Sequence, residues 1–279
     1  MAVELIPLLR SEGRLGTWFA EGWSARAEPD CHPLAEIEAA LEPGDALILG
    51  SQMNYAQTRS LIARTASRRI ATIFMFDHWK NYAEHFRPGP LADLILVPDE
   101  IGRSLALAAL GAEAGPRLRI LPHLALEAAV DRIAALRCPV TPGMIAFLLD
   151  PTELAEGLGY DWRCALQAAG ARIAALPGRH MVVKPHPRQS EALVAEALTT
   201  LQQRGIPCEI YVGDAERLIA AAEEVWGMTT VALNTALAAG KPIRSFQPGR
   251  NRAGASASNP HIEPFALTEA VAENGAIGP

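Results

Sequence analysis

The sequence predicts an α/β protein of two Rossmann-like domains facing a cleft, and three observations lead there. Short apolar runs rich in β-forming residues alternate with longer Ala, Leu, Glu and Arg stretches of helical period, the pattern of parallel strands covered by helices. The 279 residues exceed the usual size of one domain and suit two. Finally, Arg137-Cys138-Pro139-Val140-Thr141-Pro142-Gly143 places prolines and a glycine where an Ala-rich helix must stop and a new strand open. The boundary set there separates residues 1–138 from residues 139–279.

In the first half the pattern predicts strands at Thr17–Ala20, Ala46–Leu49, Ala71–Phe76, Leu94–Val97 and Leu118–Leu121, with helices near Leu34–Leu41, Tyr55–Ser67 and Gly102–Leu110. In the second half it predicts strands at Met144–Leu149, Met181–Val183, Cys208–Val212, Glu224–Trp226 and Ile243–Phe246. The helices between them fall near Trp162–Ala174, Glu191–Arg204, Glu216–Ala222 and Thr230–Ala239. Ligands of such sheets sit outside the carboxyl ends of the strands, so function is sought in the loops that follow strands.

Composition narrows the classes. With 49% hydrophobic and 20% charged residues the chain is a packed globular protein rather than a disordered one. A net charge of -6 offers no dense basic surface, which argues against nucleic acid as a partner. Cys31, Cys138, Cys164 and Cys208 are far apart and form no C-x-x-C pair, so they read as free thiols in a reducing compartment. The start Met1-Ala2-Val3-Glu4-Leu5-Ile6-Pro7 has no basic leader, and no run approaches the roughly 18 apolar residues of a membrane span. The expectation is a cytoplasmic protein with no integral membrane segment.

Four loops carry the candidate chemistry. Val182-Val183-Lys184-Pro185-His186-Pro187 ends an apolar strand in a cation, a rigid turn and an imidazole, a presentation suited to a phosphate. Gly227-Met228-Thr229-Thr230 follows a short strand and precedes a helix, where two hydroxyls serve either as caps or as an anion site. Phe76-Asp77-His78-Trp79-Lys80-Asn81-Tyr82 follows a first-domain strand. Asp77 there is an expected N-cap, Trp79, Tyr82 and Phe86 share one helical face, and Asp77 or His78 is the candidate base for an acceptor hydroxyl. Gln247-Pro248-Gly249-Arg250-Asn251-Arg252 offers guanidinium groups, Arg250 among them, in a loop expected to be mobile through about Asn259. No Walker loop, nucleophile elbow, zincin motif or early G-x-G-x-x-G is present, and the isolated Asp30-Cys31-His32 is a poor metal site, so no metal is expected.

Together these segments, with Gly240-Lys241-Pro242 and Ser245-Phe246-Gln247-Pro248-Gly249, resemble the glycosyltransferase-B superfamily. The similarity is to bacterial surface and capsular polysaccharide proteins, the CDP-glycerol transferase and sialyltransferase-like groups. It runs in order from about Asp45 to Gly249, with specificity confined to the short stretches quoted. The resemblance implies a nucleotide-binding C-terminal domain in which His186, Thr229 and Thr230 hold the donor phosphate, and Lys184, Gly227 and Arg250 join them as donor-binding candidates from their places in the loops. It also implies a nucleotide-activated sugar or related phospho-donor as substrate rather than a resident cofactor, and a carbohydrate or polyol acceptor on the N-terminal side, where the loop position makes Asp77 or His78 the candidate catalytic base.

Two departures qualify it. Asn234 and Thr235 occupy the stretch where many members carry a glutamate for the donor's ribose or sugar. The front, Glu4-Leu5-Ile6-Pro7-Leu8-Leu9, lacks the usual glycine-rich acceptor loop, and Asp99-Glu100-Ile101-Gly102 only loosely approximates a base motif, so the first domain reads as shortened. A nucleotide-binding scaffold without turnover, and an epimerase or hydrolase on the same architecture, are the competing readings. The sequence is silent on oligomeric state.

Overall fold

The structure, a computed structural model, describes residues 19–20, 32–33, 36–51, 54–150, 161–187, 189–247 and 261–262. The chain divides into two compact units, one running to Ala128 and the other starting at Ala129. Both are α/β with parallel strands, as the alternating pattern predicts.

In the first unit β1 (Phe19–Ala20) and β2 (His32–Pro33) form a short parallel ladder. There follow α1 (Ile37–Ala40), β3 (Ala46–Gly50), α2 (Tyr55–Ser67), β4 (Ala71–Met75), α3 (Tyr82–Phe86), β5 (Leu94–Val97), α4 (Glu100–Leu110), a 3-10 turn at Ala112–Arg117, and β6 (Leu118–Ile120). Strands β3-β4-β5-β6 lie side by side in that order, all parallel. Asn54 starts α2 by accepting from the backbone N–H of Ala56 and Gln57, and Asp99 starts α4 by accepting from that of Gly102. Leu47, Leu49, Phe74, Ile95 and Val97 of the sheet pack with Leu61, Ile62, Phe86, Ala106 and Leu110 of the helices in one core.

One local expectation is corrected here. Asp77 does not cap a helix: residues 77–80 bend, Asn81 takes a left-handed conformation at φ 63°, and α3 starts only at Tyr82. Trp79 thus lies outside the helix, although it is buried with Tyr82 and Phe86. The Asp77 carboxylate instead accepts the hydroxyl proton of Ser51.

The division between units falls within α5 (Leu124–Ala135). The second unit continues with β7 (Met144–Leu148), α6 (Trp162–Ala174), β8 (His180–Lys184), α7 (Glu191–Gln203), β9 (Cys208–Ile210), α8 (Ala215–Ala221), β10 (Glu224–Gly227), α9 (Ala232–Ala238) and β11 (Ile243–Ser245). The five strands are parallel in the order β11-β10-β7-β8-β9. The chain therefore builds outward from β7 to β9, returns, and builds the other way from β10 to β11. The reversal between β7 and β10 is the topological switch point at which α/β sheets open a ligand crevice.

Strand β7 is buried along its whole length, as a strand covered on both faces must be. Ile145 and Phe147 pack with Trp162, Ala165, Val183 and Leu198 on one side, while Met144, Ala146 and Leu148 pack with Ile133, Ile219, Val225 and Leu233 on the other. At the amino ends of the strands Glu224 accepts from the Trp226 indole at 2.9 Å and from Arg244 at 3.0 Å. Burial works to raise the Glu224 carboxyl, but these donors outweigh it and leave it lowered.

Among the described residues no helix is long and apolar enough to cross a membrane, and no group of three His, Cys, Asp or Glu side chains is placed to hold a metal ion. Cys138, Cys164 and Cys208 are free thiols, and burial pushes Cys164 and Cys208 above the ordinary range; Cys31 lies outside the described residues.

Candidate functional site

The carboxyl ends of β7, β8 and β10 finish level with one another, because Leu148 pairs in register with Lys184 on one side and with Gly227 on the other. Strands β8 and β10 then release two of the loops that the sequence marks, and β7 a third that it does not. Lys184 is the last residue of β8 and is half-buried, and its ammonium makes no ion pair or side-chain hydrogen bond among the described residues. Pro185 is buried behind it, and His186 is half-buried. Gln189 closes this loop twice over: its backbone N–H donates to the His186 carbonyl at 2.8 Å, and its side-chain oxygen accepts from the His186 N–H at 2.8 Å.

Gly227 ends β10, where a Cβ would lie 2.8 Å from the Leu148 carbonyl oxygen. The glycine is required by the close approach of β10 to β7. Thr229, expected to offer its donors to a phosphate, is engaged otherwise. Its backbone N–H and its hydroxyl both donate to Asp150 Oδ2, at 2.7 and 2.8 Å. Thr230 accepts from the Ala232 N–H at 3.3 Å through its hydroxyl oxygen. The helix it precedes, α9, has only seven residues, so the dipole contribution expected of a longer helix is small. Arg250 and the loop through Asn259 lie outside the described residues.

Asp150, which the sequence reading passes over, is the centre of the arrangement. It lies two residues past the end of β7 and is 6% exposed. Besides holding Thr229 it accepts, through its main-chain carbonyl, the Gln189 side-chain amide at 3.0 Å. Beyond β10, Ser245 donates to the Met228 carbonyl, and Gln247 donates to the Ser245 hydroxyl at 2.7 Å. The loops after four adjacent strands are thus tied side to side. The signal available in sequence is an acid set immediately after the most apolar strand, Leu148-Leu149-Asp150.

Two other residues of the resemblance take different places. Lys241 points away from the carboxyl edge into its own packing, donating to the carbonyls of Ala220 at 2.7 Å and Ala222 at 2.8 Å; burial lowers its ammonium. Asn234 sits on α9, 4% exposed, with both side-chain amide atoms lacking a partner among the described residues.

No protein-family model matches the sequence, and no curated protein matches it. Among solved structures the chain is similar to the accessory secretory proteins 1, 2 and 3 of Streptococcus pneumoniae, with 14% identity over 86% of this chain and 47% of that one at a TM-score of 0.47. It is similar to the pneumococcal O-GlcNAc transferase GtfA in complex with UDP and GlcNAc, with 11% identity over 87% and 50% and a TM-score of 0.48. It is also similar to trehalose-6-phosphate synthase, with 13% identity over 76% and 61% and a TM-score of 0.43. The chain thus spans about half to three fifths of these proteins. At this level of likeness the chemistry rests on the residues of this chain.

In the first unit the carboxyl edge of the sheet gathers Ser51 after β3, Asp77 and His78 after β4, Asp99 after β5 and His123 after β6. The His123 Nδ1 accepts from the Leu126 N–H at 3.1 Å, which leaves Nε2 to carry the proton donated to the Asp77 carbonyl at 3.0 Å. Asp99 holds α4 and also accepts from the Trp79 indole at 2.9 Å, so it is a structural cap rather than a base. His78 Nε2 lies 4.0 Å from Asp77 Oδ1, and its Nδ1 is buried with no hydrogen-bond partner among the described residues. Burial lowers the His78 imidazole below its usual range, with Asp77 pulling the other way. A neutral imidazole is competent as a base near neutral pH.

Proposed function

We propose that the second unit binds the phosphate of a nucleotide-activated donor at the carboxyl ends of β7, β8 and β10, and that the protein is glycosyltransferase-like, of the glycosyltransferase-B architecture. The observation that carries this reading is the Lys184 ammonium, left without a protein partner among the described residues at the switch point of a five-stranded parallel sheet. Lys184, His186 and the Thr230 hydroxyl stabilise the departing phosphate by preorganised charge and hydrogen bonding. Of the two candidate bases in the first unit, the neutral His78 suits removal of an acceptor hydroxyl proton better than Asp77, whose carboxylate already receives the Ser51 proton. Surface-polysaccharide synthesis is the setting that the resemblance in sequence supports.

A second reading, donor binding without turnover, is favoured by one observation: Asn234 and Thr235, rather than a glutamate, occupy the stretch where many members of the resembled superfamily carry one. Thermal shift with CMP, CDP, UDP, GDP and ADP on wild type and His186→Ala tests the binding claim. A ligand at about one hundred times its Kd stabilises by about 2.7 kcal/mol, a few degrees for a chain this size. Stabilisation by one nucleotide that is lost in His186→Ala supports the site, and no shift with any of them overturns it. Release of nucleotide only when an acceptor is present separates transfer from hydrolysis and from binding alone.

A further inference from the structure

We propose that Asp150 and Gln189 are positioning residues that hold the Lys184-His186 loop and the Thr229-Thr230 loop in one fixed geometry for a phosphate-bearing ligand. This deepens the donor-binding reading and rests on it. A buried carboxylate is costly unless its oxygens are satisfied, and a loop that needed only closure would leave the Thr229 donors to water. Here one 6% exposed carboxylate collects both donors of a single residue 79 positions away. The main-chain carbonyl of that same Asp150 takes the Gln189 amide, and the Gln189 oxygen takes the His186 N–H.

The consequence is mechanical. Leu148, Lys184 and Gly227 end level in register, so the residue two places past Leu148 lies between the two loops and is bonded to both. Any displacement of Asp150 moves Thr229 directly and His186 through Gln189. The two loops assigned to the phosphate therefore keep their relative position only while this bridge is intact, and a ligand contacting both loops senses its loss as lower affinity.

The test is calorimetric titration of the nucleotide that best stabilises the wild type, chosen from CMP, CDP, UDP, GDP and ADP, with Tm measured alongside. Gln189→Ala and Thr229→Val are each expected to weaken binding about tenfold while Tm stays within a few degrees. The double variant is expected to lose less than the product of the two, because both weaken one bridge, Thr229→Val by removing one of its two donors to Asp150. Thr229→Ser keeps both donors and retains wild-type affinity. Wild-type affinity in Gln189→Ala and Thr229→Val, or losses that multiply in the double variant, overturns the positioning role and leaves the phosphate site standing. A wild type that binds none of the five nucleotides overturns the site and the positioning role together.

Discussion

Asp150 takes both donors of Thr229, its Oδ2 lying 2.7 Å from the backbone nitrogen and 2.8 Å from the hydroxyl oxygen, and so joins the loops after β7 and β10. Removing the carboxylate strands a half-buried N–H and a hydroxyl at once. Asp150→Ala is expected to lower stability by about 1–3 kcal/mol in urea unfolding, with the slope unchanged. Asp150→Asn, which keeps an oxygen acceptor, costs less. Equal and negligible losses in the two variants contradict the assignment of Asp150 as an anchor.

Gly227 lets β10 approach β7 at the level of the site. In Gly227→Ala the added methyl meets the Leu148 carbonyl oxygen at 2.8 Å and the Leu233 side chain at 3.3 Å. Backbone on one side cannot yield cheaply, so the strands part. A loss of about 1–3 kcal/mol is expected, accompanied by weaker nucleotide binding. Undiminished stability in thermal unfolding shows that the strand pair has more room than the geometry allows.

Lys241 belongs to the resemblance but not to the ligand edge. Its ammonium satisfies the carbonyls at the end of α8, Ala220 and Ala222. Lys241→Met is expected to cost about 1–3 kcal/mol of stability and to leave nucleotide affinity unchanged. An affinity loss with intact stability places this lysine at the ligand after all.

His85 carries the pH prediction. Its ring is fully buried, with centroids 4.7 Å from Tyr55 and from Phe74 and 5.5 Å from Phe76. Burial, reinforced by His78 and Arg59 and opposed by Asp77, pushes the imidazole down from 6.5 to about 4. Below pH 6.5 the unfolded chain binds a proton that the folded chain refuses, so stability falls as pH drops from about 6.5 toward about 4. The difference in affinity corresponds to about 3 kcal/mol. Urea unfolding across that range is expected to show this slope in the wild type and a flatter one in His85→Leu. Identical slopes in the two proteins exclude His85 as the source.

The fold was legible because hydrophobic periodicity is a local property. The bounds of α2, α6 and β5 coincide with those expected from sequence, and most other elements differ by one or two residues at an end. The segment at Asp77 was misread because its apolar spacing suits a helix, whereas the left-handed Asn81 delays the helix to Tyr82. Lys184 and His186 were legible as polar groups at a strand's end. Asp150 and Gln189 were not, because their significance arises only when positions 39 and 79 residues apart are brought together by the sheet order. The Thr229–Asp150 contact was hidden in the sequence for the same reason.

The most direct test of the central claim is a crystal structure of the protein with the nucleotide that stabilises it. The account predicts phosphate oxygens about 2.8 Å from Lys184 Nζ, at the carboxyl ends of β7, β8 and β10, with the Thr230 hydroxyl donating to the same group. A nucleotide seated elsewhere, with Lys184 untouched, contradicts it.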